Sequence, residues 1–199
     1  MIALIDYGAG NLTSVKKALA TIGAEVVVPR APEELADAAG VIVPGVGHFG
    51  ATRALGRAWI DAILERVGEG RPLLGICLGM QWLFEGSDEA PDLPGLGLLS
   101  GQCHRLHDAE GIKIPHVGWN TLALQREAPI LDGVADQAQV YFTHSYVVPL
   151  MSETVAVTEH GEPFTAVVQR ANIAGVQFHP EKSGEVGLQI LRNFVDLAG

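Results

Sequence analysis

A chain of 199 residues, 48% of them apolar, is long enough to bury a real core and fits one domain, or one domain with a substantial subdomain. Its 13 basic residues against 23 acidic ones leave a formal charge of -10, and no basic cluster offers itself to a phosphate backbone, which argues against nucleic acid as a partner. No run approaches the roughly 18 apolar residues of a membrane-spanning helix, and MIALIDYGAGN reaches Asp6 without a basic leader or a long apolar stretch, so the chain reads as soluble and untargeted.

Taken in chain order, the first 85 residues alternate short apolar runs with helical patterns. IALI is followed by Leu12, Val15, Leu19 and Ile22 at helical spacing, and VVV by a predicted helix from Pro32 that Gly40 stops. VIVP then leads to a helix carrying Leu55, Trp59, Ile63 and Val67, and LLGI to a helical segment from about Leu78. This alternation predicts an α/β fold with a mostly parallel central sheet and helices on both faces. From about Gly95 the texture becomes β-rich, with IKIP, QVYFTHSYVV, TVAV, FTAVV and IAGVQF, an antiparallel portion that extends the sheet or packs beside it. A last helix from about Ser183 lines up Val186, Ile190, Leu191, Phe194 and Val195.

Ligands of an open parallel sheet gather beyond the carboxyl ends of its strands, which singles out DYGAGN, PGVGHFG and LLGICLGMQW. In the last of these, Gly75, Cys77 and Gly79 reproduce with a thiol the Gly-x-Ser-x-Gly spacing of a nucleophile elbow, where bulky neighbours would clash. A thiol at that turn faces the amino end of the next helix, whose dipole favours the attacking thiolate. The alternative is a buried cysteine acting as a small hydrophobe. A base must accompany the nucleophile. In QFHPEKS, Pro180 biases His179 toward extended backbone, which sets His179 and Glu181 on one side, imidazole and orienting carboxylate. His144 in YFTHSY is a rival base that spacing leaves open. The amide of Leu78, after the nucleophile, is one natural oxyanion donor, and PGVGHFG supplies a second in Val46 or Gly47 unless its glycines only make a tight turn.

DYGAGN is a poor dinucleotide fingerprint, because Thr13 stands where the third glycine belongs. The two cysteines, Cys77 and Cys103, form no disulfide framework and suit a reducing cytoplasm, while Cys103, His104 and His107 match no common zinc spacing and read as surface polar residues. No metal and no cofactor is expected.

GICLGMQ with QFHPEKS resembles the class I glutamine amidotransferases, and DYGAGN, PGVGHFG, PHVGWN and YFTHSY narrow the resemblance to the glutaminase subunits of imidazole glycerol phosphate synthase. The likeness runs from Ile2 to the last helix. It implies one glutamine amidotransferase domain over residues 1–199 with a flavodoxin-like sheet, and a cytoplasmic enzyme of histidine biosynthesis. Cys77 would attack the side-chain amide of L-glutamine, His179 would protonate departing ammonia, and water would hydrolyse the thioester, with Glu181 holding the imidazole. Gly47, Gln81, His144 and Ser145 are the positions carried over for glutamine, and Cys103 matches no catalytic position and reads as structural. The implied partner is a (β/α)₈ barrel cyclase, bound as a heterodimer, that takes the ammonia to make imidazole glycerol phosphate and an aminoimidazole carboxamide ribotide. Asn11, Trp119, Tyr141 and Lys182 are the positions expected to face it, against the alternative that Trp119 and Tyr141 are core aromatics. The resemblance also implies that the peptide at Val46 is misoriented until the partner and its ligand arrive.

Overall fold

The computed structural model describes every residue, Met1–Gly199. In chain order its elements are β1 (Ile2–Leu4), α1 (Leu12–Thr21), β2 (Val26–Val27), β3 (Gly40–Gly45), α2 (Arg57–Gly68), β4 (Leu73–Cys77), α3 (Leu78–Trp82), β5 (Gly86–Ser87) and β6 (Gln102–Arg105). There follow β7 (His116–Leu124), β8 (Ala138–His144), β9 (Tyr146–Val147), β10 (Thr154–Glu159), β11 (Pro163–Arg170), β12 (Ile173–Val176) and α4 (Gly184–Ala198). Nine strands form one sheet in the order β2-β1-β3-β4-β12-β11-β10-β7-β8, and β5, β6 and β9 form a small second one. The β2 to β12 half is parallel, and β12 to β8 is antiparallel.

Strand periodicity divides the interior into two cores, because successive side chains leave a strand on opposite faces. Ile2 and Leu4 of β1 join Val15 and Leu19 of α1 and Ile190, Leu191 and Phe194 of α4 on one face. Ala3 points the other way, toward Ile63 of α2 and Leu78, Met80 and Trp82 of α3. The central strand β4 is buried along its whole length, as a strand covered on both faces must be.

Several expected elements come out differently. The helix expected from Pro32 is a single 3₁₀ turn, Pro32–Leu35, since only Leu35 and Ala38 anchor that segment to the core. IKIP makes no strand; the ladder begins at His116, after Pro115, which has no N–H to give it. QVYFTHSYVV is two strands, because the chain leaves the large sheet at Ser145 to pair β9 with β6. The helix at Leu78 has only five residues, and Leu55 precedes α2 instead of lying in it.

Candidate active site

Cys77 ends β4 and opens α3 with φ 54° and ψ -109°, a left-handed backbone that a side chain tolerates only where its surroundings hold it. Two glycines make the turn possible. A methyl group on Gly79 would collide with the Val43 carbonyl, and one on Gly75 would lie 2.6 Å from the Gly79 carbonyl oxygen. β3 runs alongside, pairing Gly45 with Cys77, so the segment after β3 arrives beside that cysteine. A cleft of about 300 Å³ opens there. Gly47, Cys77, Leu78, Gln81, His144 and Ser145, all singled out in the sequence, line it together.

The side chains of His179 and Glu181 are buried just after β12, next to β4, and bond Nδ1 to Oε1 at 2.9 Å. A carboxylate only accepts, so Nδ1 carries the proton and Nε2 is left for the cysteine. Nε2 makes no hydrogen bond within the protein. Burial works against the imidazolium, but interactions with Cys77 and Glu181 outweigh it and raise His179 to about 10. The backbone holds the imidazole in place too, since the His179 N–H donates to the Tyr141 carbonyl at 2.9 Å and Ser183 Oγ donates to the His179 carbonyl at 2.6 Å.

The rival base is placed otherwise. His144 donates from Nδ1 to the Tyr146 carbonyl at 3.0 Å, and its Nε2 lies 3.0 Å from His116 Nδ1, so both ring nitrogens are engaged. Burial, reinforced by neighbouring histidines, lowers His144 to about 3 and His116 to about 4, and both are neutral at pH 7.

Of the expected oxyanion donors, Leu78 opens α3, where its N–H has no acceptor within the helix. Gly47 sits on the cleft with φ +90°. The Val46 N–H donates instead to the Ala9 carbonyl of the DYGAGN loop, at 2.5 Å.

Two residues at the site drew no notice in the sequence. Gln177 is fully buried, and its Nε2 donates to Cys77 Sγ at 3.6 Å. Its signal was there to find, because it lies two residues before His179 and so on the same side of the extended segment. Glu89 is the one carboxylate on the cleft, and its Oε2 accepts from the Phe49 N–H at 2.6 Å. Only tertiary folding brings it there, twelve positions past Cys77 with no motif around it.

The expected partner-facing positions fall into a patch and an outlier. Trp119 is 55% exposed on β7 and meets Tyr141, its register partner on β8, edge to face at 6.1 Å. Lys182 Nζ lies 5.7 Å from the Tyr141 ring centre, and Val117, two residues before Trp119, is 57% exposed. Trp119 is therefore no core aromatic. Asn11 flanks the amino end of α1 and is half-buried. Elsewhere, Cys103 is fully buried with its thiol donating to the Gln81 carbonyl, and burial pushes it far up. His104 and His107 turn away from it and bond Glu162 at 3.1 and 2.9 Å, a carboxylate that also takes the His107 N–H. No helix is long and apolar enough to cross a membrane.

A strained cysteine elbow beside a buried imidazole and carboxylate on an α/β sheet is the arrangement of a nucleophilic amidohydrolase. Residues 3–197 match the family model of class-I glutamine amidotransferases, and the chain belongs to that family. It is 48% identical over 197 residues to the Bacillus cereus (strain B4264) imidazole glycerol phosphate synthase subunit HisH, covering 98% of this chain and 93% of that one. The subunit of the same name from Gloeobacter violaceus is 49% identical over 203 residues, with 99% and 89% covered. Among solved structures, one described as a glutamine amidotransferase superposes with a TM-score of 0.78 at 24% identity over the whole of both chains. PurLQS from Thermotoga maritima does so with 0.75 at 20% identity, covering 98% of this chain and 97% of that one. These two likenesses speak for the fold.

Proposed function

We propose that residues 1–199 form a single glutamine amidotransferase domain, the glutaminase subunit of imidazole glycerol phosphate synthase, and that Cys77, His179 and Glu181 are its catalytic triad. The observation that carries this reading is the convergence of three strand ends. The Cys77 elbow after β4, the His179–Glu181 pair after β12 and the loop after β3 meet at one cleft.

Cys77 Sγ attacks the side-chain carbonyl carbon of L-glutamine and forms a carbon–sulfur bond, and the carbonyl oxygen takes the negative charge. The Leu78 amide and a second amide from Val46 or Gly47 receive that oxyanion. His179, protonated at rest, gives its Nε2 proton to the departing nitrogen, and ammonia leaves as the carbonyl reforms. Water then attacks the thioester, His179 takes a proton from it, and sulfur departs with the electron pair to leave glutamate. Gln81, Ser145 and the backbone at His144 bind glutamine, and Glu89 is the group of opposite sign for its α-ammonium.

Ammonia released into water at neutral pH becomes mostly ammonium, which has no lone pair for attack. An enclosed route to a second active site avoids this. The partner is a (β/α)₈ barrel cyclase, docked on Trp119, Tyr141, Lys182 and Asn11. With the Val46 amide committed to Ala9, the hole has one donor fewer in this conformation, which accounts for a chain that works poorly until its partner arrives. Glutamate release measured with and without the cyclase and its nucleotide substrate tests reaction, partner and activation at once. High turnover by the chain alone, or none with the cyclase present, would contradict the reading.

A further inference from the structure

The Cys77 sulfur is buried, and any negative charge it carries in the reaction must be met by donors around it in place of water. The elbow helix contributes little, since α3 spans five residues and its dipole is correspondingly short. His179 approaches from one side. The remaining donor is a side-chain amide, and its direction follows from a chain of hydrogen bonds that begins at the Tyr146 carbonyl.

That carbonyl can only accept. Gln81 reaches it at 3.0 Å, so the atom in contact is the Gln81 amide nitrogen, whose second N–H lies 3.1 Å from a side-chain atom of Gln177. A donor there requires an acceptor, which makes that atom Gln177 Oε1. The Gln177 nitrogen is thereby turned toward Cys77 Sγ, 3.6 Å away. The same carbonyl sets the polarity of a second arm. His144 donates to it from Nδ1, which leaves Nε2 to accept from His116 Nδ1–H, and His116 Nε2 to accept from the Asn120 amide at 3.2 Å. The Asn120 nitrogen also donates to the Glu159 carbonyl at 3.0 Å, and its oxygen takes the Thr121 N–H at 2.8 Å, so both ends of that amide agree with the direction. Every link from Asn120 inward to Cys77 is buried or half-buried, and only the Glu159 end is exposed.

We propose that Gln177 is a further catalytic residue, an N–H donor to the Cys77 sulfur that Gln81 and the Tyr146 carbonyl hold in the one orientation able to donate. The inference rests on Cys77 being the glutaminase nucleophile. Gln177 gives up no proton in either half-reaction. Its N–H supports charge on sulfur before attack, and supports it again when the carbon–sulfur bond breaks and the electron pair returns. Gln81 thereby has two tasks, binding glutamine with the oxygen its nitrogen contacts leave free and aiming Gln177 with its nitrogen.

Two near-isosteric variants separate donation from packing. Gln177→Met removes the N–H, and Gln177→Glu replaces it with an acceptor. Hydrogen bonds to charged groups are strong enough that alkylation of Cys77 by iodoacetamide at pH 7 should slow about tenfold in Gln177→Met and further in Gln177→Glu. The ultraviolet thiolate absorbance, referenced to Cys77→Ala, should fall in the same order. In complex with the cyclase, kcat should fall about tenfold with KM nearly unchanged. Wild-type alkylation rates in both variants, or a loss confined to KM, would overturn the proposal. Should either variant fail to fold, Gln81→Met leaves Gln177 in place but frees its amide to turn, and alkylation at the wild-type rate there would be equally fatal. Alkylation and absorbance need no glutamine, so a wild-type complex that releases no glutamate would sink the glutaminase reading and leave this comparison standing.

Discussion

The elbow and the loop after β3 lie side by side, joined by the pairing of Gly45 with Cys77, yet they are held in opposite ways. Gly75 and Gly79 admit neighbouring backbone where a methyl group would clash, and the left-handed turn at Cys77 is fixed by that packing. The loop is held by hydrogen bonds, the Val46 N–H donating to the Ala9 carbonyl and the Phe49 N–H to Glu89. The elbow is assembled by covalent spacing and close packing, which no small motion undoes. On the proposed reading, the second oxyanion donor depends on hydrogen bonds that a partner can exchange.

The largest effect should come from breaking the fixed side of this comparison. Cys77→Ala should lower glutamate release by at least about 10⁴-fold in the cyclase complex, as removal of a nucleophile does elsewhere, with the melting curve little changed. Residual turnover near the wild-type level would mean that the elbow is not the catalytic centre.

Next comes the adjustable side. If adding the cyclase and its ligand frees the Val46 amide, kcat should rise about 10²- to 10³-fold, the value of one oxyanion donor. Stimulation seen only in KM would locate the partner's effect at glutamine binding and not at the hole.

A smaller effect belongs to the surface. Trp119→Ala should weaken binding of the cyclase by about 1–3 kcal/mol in a calorimetric titration, the range typical of an exposed aromatic anchor, and leave the fold intact. Unchanged affinity would remove Trp119 from the interface. The patch also touches the site through the backbone, because the Tyr141 carbonyl accepts from the His179 N–H and the Tyr141 N–H donates to Ser183 Oγ at 2.9 Å.

The smallest effect separates the two kinds of histidine at the site by the sign of their linkage. His144 and His116 are lowered to about 3 and about 4, so below the unfolded value near 6.5 the unfolded chain binds protons the folded one refuses, and their contribution is lost as pH falls through that window. His179 is raised to about 10; its contribution is complete below about 6.5 and lost as pH rises toward 10. Scanning calorimetry should therefore record a melting temperature lower at pH 5 than at pH 7 by at least about 2–4 °C. A flat profile over that interval would contradict the burial of the neutral pair.

Much of this was legible in one dimension. The alternation of the first 85 residues announced the parallel half, and the glycines around Cys77 announced the elbow, because both are local matters of period and backbone room. HPE placed an imidazole beside a carboxylate for the same reason. Sequence reading failed where length and partners decide. The segment from Pro32 has helical residues but too few anchors, IKIP has strand residues but a proline where the ladder would start, and the helix after Cys77 stops after five residues.

By itself, then, the sequence determined the sheet class, the cysteine elbow and the pairing of His179 with Glu181, on which the proposed triad rests, since each follows from spacing within a few residues. Only the tertiary structure engaged both ring nitrogens of His144 elsewhere, brought Glu89 to the cleft, turned the Gln177 amide toward sulfur and tied Val46 to Ala9. Those outcomes depend on which hydrogen-bonding groups face each other across strands 28 to 100 positions apart, and on the rule that a buried donor must find an acceptor. Sequence spacing carries no record of that pairing.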